Sequence, residues 1–353
     1  FGSPSVLMMF HRQPGQLEQE LAEMDECMPH YYKITSGHGM GAETIMRAEA
    51  DFLRGRFDDA QIGLERAYAQ IAGNGQTNMT LCCDFLAWRL SLGGGYTPRI
   101  PLAVRQEEML RQHNMAWRNL FHAIGAYYYA LRGQTDSIPE VYAAHRMDSV
   151  NTLAPGRPMI GLIEDQVYLA QGEWASVLGR APGLLAMCEA LHYDLVALHL
   201  RIQMAAAYAG LGRQTEAGAL LQQALAQAAP DGFAMPFAEN YRYLAGLLEA
   251  ERSGGQAELA GHVCALGRAQ EKRCAALNRS EALPEAAVAL TDRELRMAGM
   301  IARRCTNREI AQAMFLSEGT VKQYINQLYA KLDIGGDVRT RRARLAELFR
   351  TKN

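Results

Sequence analysis

Lys322, Gln323 and Asn326 are the side chains of this sequence best placed to recognise another molecule by charge and hydrogen bonding. On a helix, Gly319, Lys322, Gln323, Asn326 and Ala330 fall on one side at the 3.6-residue period. A cation there pairs with phosphate, two carboxamides address base edges, and a glycine and an alanine allow close approach. The chemistry implied is readout of duplex DNA, with no bond made or broken.

That face needs a helix with a firm start and a packed back. Ser317 supplies the start, and Val321, Ile325, Leu328 and Leu332 recur at i, i+4, i+7 and i+11 as an apolar stripe. Two shorter helices must cover that stripe. Thr291–Asp292–Arg293–Glu294 and Thr306–Asn307–Arg308–Glu309 are each a capping box, in which the hydroxyl and the glutamate satisfy each other's backbone N–H. The first of these helices offers Leu295, Ala298 and Ile301–Ala302 to a shared core, and the second offers Ile310, Ala311 and Met314. Three capped helices, the last with a polar outer face, outline a helix-turn-helix.

These residues carry a resemblance. Leu290-Thr291-x-Arg293-Glu294, Thr306-Asn307-Arg308-Glu309-Ile310-Ala311, Leu316-Ser317-Glu318-Gly319-Thr320-Val321-Lys322 and Lys331-Leu332 together are similar to the LuxR-type helix-turn-helix, over roughly the last sixty residues. The resemblance implies a four-helix DNA-binding module whose third helix enters the major groove and whose fourth helps pair two copies. It places Asn307 and Arg308 near phosphates, and Thr320 and Lys322 at the DNA-facing start of the recognition helix. The candidate DNA-binding set is Thr306, Asn307, Arg308, Ser317, Glu318, Gly319, Thr320, Lys322, Gln323, Asn326 and Lys331. Arg308, Lys322 and Lys331 are expected to neutralise phosphates, Gln323 and Asn326 to read bases. Tyr324 stands where many members have histidine, and Arg304 where many have glycine. The stretch Asp333–Arg339 is about two residues longer than usual, which leaves the start of the fourth helix open.

Charge supports the division. Residues 288–353 hold 13 Lys+Arg against 7 Asp+Glu, leaving 23 against 31 in the rest of a chain whose net charge is -2. A basic tail on an acidic body fits one nucleic-acid module joined to something else. Arg339, Arg341, Arg342 and Arg344 are expected to extend the phosphate footprint beyond the reading helix.

The body repeats itself. Gly55-x-Phe57-x-x-Ala60 with Ala67 returns as Gly212-x-x-x-x-Ala217 with Ala224, with weaker copies at Gly94, Gly133 and Gly172. The glycines are 39, 39, 39 and 40 residues apart, and Gly254-Gly255 marks a further turn. Even spacing of this kind indicates stacked helical hairpins, glycine ending one helix in a left-handed conformation and alanine letting its partner approach. With 353 residues, 49% hydrophobic, the expected fold is all-α: tetratricopeptide-like hairpins at 1–277, a linker at 278–287 around Pro284, and the DNA module at 288–353.

This body resembles tetratricopeptide repeats, most closely those of MalT-like regulators, in which a helical superhelix precedes a LuxR-type domain. The order of parts and the stretch Tyr31–Glu43 followed by Ala48-Glu49-Ala50 carry that similarity. It implies that the repeats sense an effector molecule or protein partner. Members usually carry a P-loop ATPase ahead of the repeats; no GxxxxGK[ST] occurs here, and Gly37-His38-Gly39-Met40-Gly41 reads as a helix-breaking turn. The chain opens Phe1-Gly2-Ser3-Pro4 without a Met and reads as part of a longer protein. Aromatic residues Tyr31-Tyr32, Tyr127-Tyr128-Tyr129 and Trp117, with Met8-Met9, are candidates for a concave wall, although most are expected in the core.

Enzyme chemistry is not indicated. The nine histidines form no HExxH, no GxSxG elbow occurs, and no Cys/His pair has a family spacing. Seven cysteines without CxxC spacing argue against zinc and disulfides and for a reducing, cytoplasmic setting. No signal peptide and no run of eighteen apolar residues is present, so no membrane is expected. The expected function is a bacterial DNA-binding transcription regulator without cofactor, metal or catalytic residue, which binds double-stranded DNA and forms a homodimer on it. The rival reading is a tetratricopeptide-like interaction scaffold whose DNA contact is secondary.

Overall fold

The computed structural model describes residues 3–73, 75–146, 154–281, 290–302 and 304–348. Every regular element in them is helical, and the chain divides into two compact units, Phe1–Cys274 and Ala275–Asn353. The long helix Ala257–Glu281 runs through residues 278–281, the first four of the expected linker; the remainder of that linker lies outside the described residues.

In the first unit, successive helices pair across short turns: Ala42–Leu53 with Phe57–Ile71, Arg157–Gln171 with Trp174–Leu191, and Asp194–Gly210 with Gln214–Ala228. The repeated glycines sit at the turns. Gly55, Gly133, Gly172 and Gly212 have φ of 77°, 71°, 78° and 76°, a region closed to most side chains. The Gly94 copy differs. Its own φ is -102°, the left-handed residue is Gly95 at 77°, and a Cβ on Gly94 would sit 2.8 Å from the Phe57 ring. Gly94 is therefore glycine for room. Ala60, Ala67, Ala217 and Ala224 are fully buried where helices cross.

The unit departs from a simple stack, in which each hairpin would touch only its neighbours. Residues 229–240 carry the short helix Met235–Ala238 into the interior and meet partners far away in sequence. Ala234 N–H donates to the Leu53 carbonyl at 2.8 Å, and the Asp231 carboxylate accepts from Gly15 and Leu17 N–H. Glu239 takes two bonds from Arg89, at 2.7 and 3.0 Å, and a third from the Tyr127 hydroxyl at 2.9 Å. Arg89 packs its guanidinium over Phe52 and Phe85. A buried charge pair of this kind persists because its hydrogen bonds are filled and its geometry is good.

Two buried carboxyls make the stability of the unit fall as pH rises towards neutral. Burial pushes Glu49, which accepts from Leu7 N–H at 2.7 Å, up to about 7, and Asp165 likewise to about 7. A carboxyl with a raised folded pKa favours the fold most below its unfolded pKa of about 4.3 for Glu and loses that contribution as pH rises through the folded value. Thermal melts should therefore show the first unit losing stability between about pH 4 and 7, and Glu49→Gln should flatten that slope. A slope unchanged in the Glu49→Gln variant would refute the assignment.

In the second unit the helices Asp292–Ala302, Asn307–Met314, Glu318–Lys331 and Val338–Leu348 pack around Met297, Ile301, Ile310, Val321, Leu328 and Leu345. Tyr329 and Ile334 complete this core, and neither was expected there from the sequence.

Candidate nucleic-acid interface

Local chemistry sets where each helix of the second unit begins. Thr306 Oγ1 accepts from Glu309 N–H while the Glu309 carboxylate accepts from Thr306 N–H, so the capping box is complete. Thr291 and Glu294 make the same exchange. Ser317 Oγ accepts from Thr320 N–H at 3.0 Å and starts the third helix. Between the second and third helices the chain turns at Phe315, with φ 53°, and Leu316 N–H closes onto the Ala311 carbonyl.

The third helix has the two sides its sequence implies. Val321, Ile325, Leu328 and Leu332 are buried, whereas Gly319, Lys322, Gln323, Asn326 and Ala330 are exposed. Burying an aliphatic side chain contributes about 1.5–3 kcal/mol, so this stripe fixes which side faces water. Lys322 presents a cation and Gln323 and Asn326 two carboxamides on one open surface, the combination that suits phosphate plus base edges.

The remaining candidates divide. Arg308 and Glu318 are exposed; Asn307 and Thr320 are half-buried at the edge of the same region. Thr306 and Ser317 are exposed, but their hydroxyl oxygens cap helices, so they act by holding the backbone. Lys331 is exposed and also makes an ion pair within the unit. Its ammonium lies 2.8 Å from the Glu294 carboxylate, which is 6% exposed, and so ties the end of the third helix to the start of the first. This ion pair holds the Glu294 carboxyl below the usual carboxylate range.

Three arginines of the fourth helix have partners within the unit: Arg341 and Arg342 are half-buried and Arg344 is exposed. Arg341 packs over the Tyr329 ring at 5.2 Å, Arg344 donates to the Gly335 carbonyl at 2.9 Å, and Arg342 donates to Asn307 Oδ1 at 2.8 Å and to the Cys305 carbonyl. The Leu295 and Arg339 side chains lie outside the described residues. Asp337 settles the start of the fourth helix: its carboxylate accepts from Thr340 N–H at 2.8 Å. Tyr324 is half-buried under the Arg293 guanidinium. Phe315 was missed by sequence reasoning. It is 95% exposed at the tip of the turn, and an apolar residue between two amphipathic helices gives no signal of which way it points.

Arg304 has φ 64° and ends the first helix, its N–H bonded to the Ile301 carbonyl and that of Cys305 to Met300. A side chain in this region costs about 1–2 kcal/mol, partly offset by the greater unfolded freedom of glycine. Arg304→Gly should stabilise the second unit by about 0.5–1 kcal/mol, read as slower amide exchange in Asp292–Ala302. Unchanged or faster exchange would contradict it.

Around Arg12, Tyr193 and Arg201 in the first unit lies a cleft of about 570 Å³, and around Phe121, His122 and Tyr129 one of about 350 Å³. Of the aromatic candidates, Tyr127 and Met8 are core, Tyr128 and Trp117 are half-buried, and Tyr129 lines the smaller cleft. The glycine-rich run forms a turn, Gly37, Gly39 and Gly41 all having positive φ, with Gly39 N–H on Gln76 and Gly41 N–H on the Tyr32 hydroxyl. Among the described residues no helix is long and apolar enough to cross a membrane, and no group of three or more His, Cys, Asp or Glu is arranged to hold a metal.

Three capped helices with one polar face outward define a helix-turn-helix DNA-binding domain. Residues 288–342 match the family described as bacterial regulatory proteins, luxR family. The chain is also 45% identical over 64 residues to the DNA-binding transcriptional activator DevR/DosR of Mycobacterium tuberculosis. That similarity covers 18% of this chain and 29% of the relative. No solved structure matches the chain. The likeness lies within the C-terminal unit, and the chain spans less than a third of the length of that relative.

Proposed function

We propose that the chain reads promoter DNA through the exposed side of Glu318–Lys331, and that the first unit senses an effector molecule or protein partner and governs that act. The observation that carries the DNA reading is the sorting of one helix into a buried aliphatic side and an open side bearing Lys322, Gln323 and Asn326. Lys322 and Arg308 neutralise phosphates, Asn307 donates to one, and Gln323 and Asn326 address base edges in the major groove.

Support for the sensing role is indirect: the resemblance of the repeats to those of MalT-like regulators, and clefts large enough for a small molecule. We place the protein in the bacterial cytoplasm, pairing two copies on DNA. The domain division at 288 and the tetratricopeptide character of the body belong to the same proposal.

The test is capture of sheared genomic DNA by the purified chain, followed by sequencing. Enrichment of a common motif, lost in a Gln323→Ala/Asn326→Ala variant, is expected, and two half-sites at fixed spacing would report pairing. Enrichment that is indifferent to both substitutions would overturn the reading. If removal of residues 288–353 left the main activity intact, the scaffold reading would replace it.

A further inference from the structure

Among the described arginines of the fourth helix, Arg342 reaches across to the start of the second helix. Arg342 is half-buried, with one guanidinium nitrogen on Asn307 Oδ1 at 2.8 Å and the other on the Cys305 carbonyl. A guanidinium can only donate, so it fixes which end of the Asn307 carboxamide it meets: the oxygen. The Nδ2 group, with two N–H donors, then points away from Arg342 and has no hydrogen-bond partner among the described residues. Asn307 opens the second helix beside exposed Arg308. Left alone, an asparagine there could rotate by half a turn at little cost and present its acceptor, which repels a phosphate.

We propose that Arg342 is a positioning residue for DNA binding: it locks the Asn307 carboxamide so that its donors face a backbone phosphate, without touching DNA itself. The inference rests on the DNA reading proposed above and gives the fourth helix a specific part in it. Because two nitrogens of one rigid planar group hold Asn307 and Cys305 together, lysine can replace only one of the two bonds.

The salt dependence of binding separates this role from a direct phosphate contact. A side chain that neutralises a phosphate lowers the slope of log K against log salt by about 0.9 when removed, whereas a neutral donor and a positioning residue leave it unchanged. The experiment uses the full chain and a random-sequence duplex, since a phosphate contact does not depend on sequence. Asn307→Ala should weaken binding roughly tenfold, as for a hydrogen bond to a charged group. Arg342→Met should weaken it by a similar factor at an unchanged slope, Arg342→Lys by less, and the Asn307→Ala/Arg342→Met pair no more than either alone. Amide exchange protection in Asn307–Met314 shows that the variants remain folded.

Additive losses in the pair, or a slope lowered by Arg342→Met, would overturn the proposal. So would normal binding by Asn307→Ala, since there would be nothing to position. Failure of the unaltered chain to bind duplex DNA would instead overturn the DNA reading beneath it.

Discussion

Alanine at Lys322 should weaken binding to every duplex and lower the salt slope by about 0.9, whereas alanine at Asn326 should change which duplex is preferred. Both side chains are exposed on one side of Glu318–Lys331, and their chemistry differs. An ammonium meets a charge that every base pair carries, so its loss is indifferent to sequence. A carboxamide matches the donor and acceptor pattern of one base, adenine above all, and its loss costs about 1–3 kcal/mol of discrimination at that position. Competition titrations of matched and mismatched duplexes across a salt series measure both effects. A uniform loss for Asn326→Ala on all duplexes would remove its reading role and leave it a general contact.

Glu239→Leu should destabilise the first unit by about 3–5 kcal/mol, because it strands the Arg89 guanidinium without a counter-charge in the interior. Both side chains are almost completely buried, at 3% and 1% exposure, and the Tyr127 hydroxyl loses its acceptor in the same step. The double replacement Arg89→Met/Glu239→Leu should be much milder, since it removes both charges. Urea unfolding followed by tryptophan fluorescence isolates this unit, as Trp88, Trp117 and Trp174 all lie within it. If the single variant unfolded at the wild-type midpoint, the pair would have to be dispensable and the interior wetter than described.

Much of the second unit is legible along the chain. The two capping boxes, the Ser317 cap and the stripe Val321–Leu332 rest on contacts within a turn or two of helix, where residue type and spacing suffice. The same holds for the repeated glycines at Gly55, Gly133, Gly172 and Gly212, each needed by its own φ. The contacts of Arg341 and Arg342 were not legible, for the opposite reason. Their partners, Asn307, Tyr329 and the Cys305 carbonyl, belong to two other helices and to the turn before one of them, and counting charges does not reveal an internal donor. The bond of Lys331 to Glu294, 37 residues earlier, is likewise invisible in local spacing.

By itself the sequence determined that the chain is helical, where its turns fall, and which side of the reading helix is aliphatic and which polar. Those properties follow from backbone sterics, capping hydrogen bonds and the helical period, all short-ranged. Only the tertiary structure decided that residues 229–240 enter the interior of the first unit to join Leu53 and Arg89, and which cations remain turned outward. Burial of a charge or a backbone donor is tolerated only where a partner waits, and partners 150 or more residues apart leave no mark in local spacing.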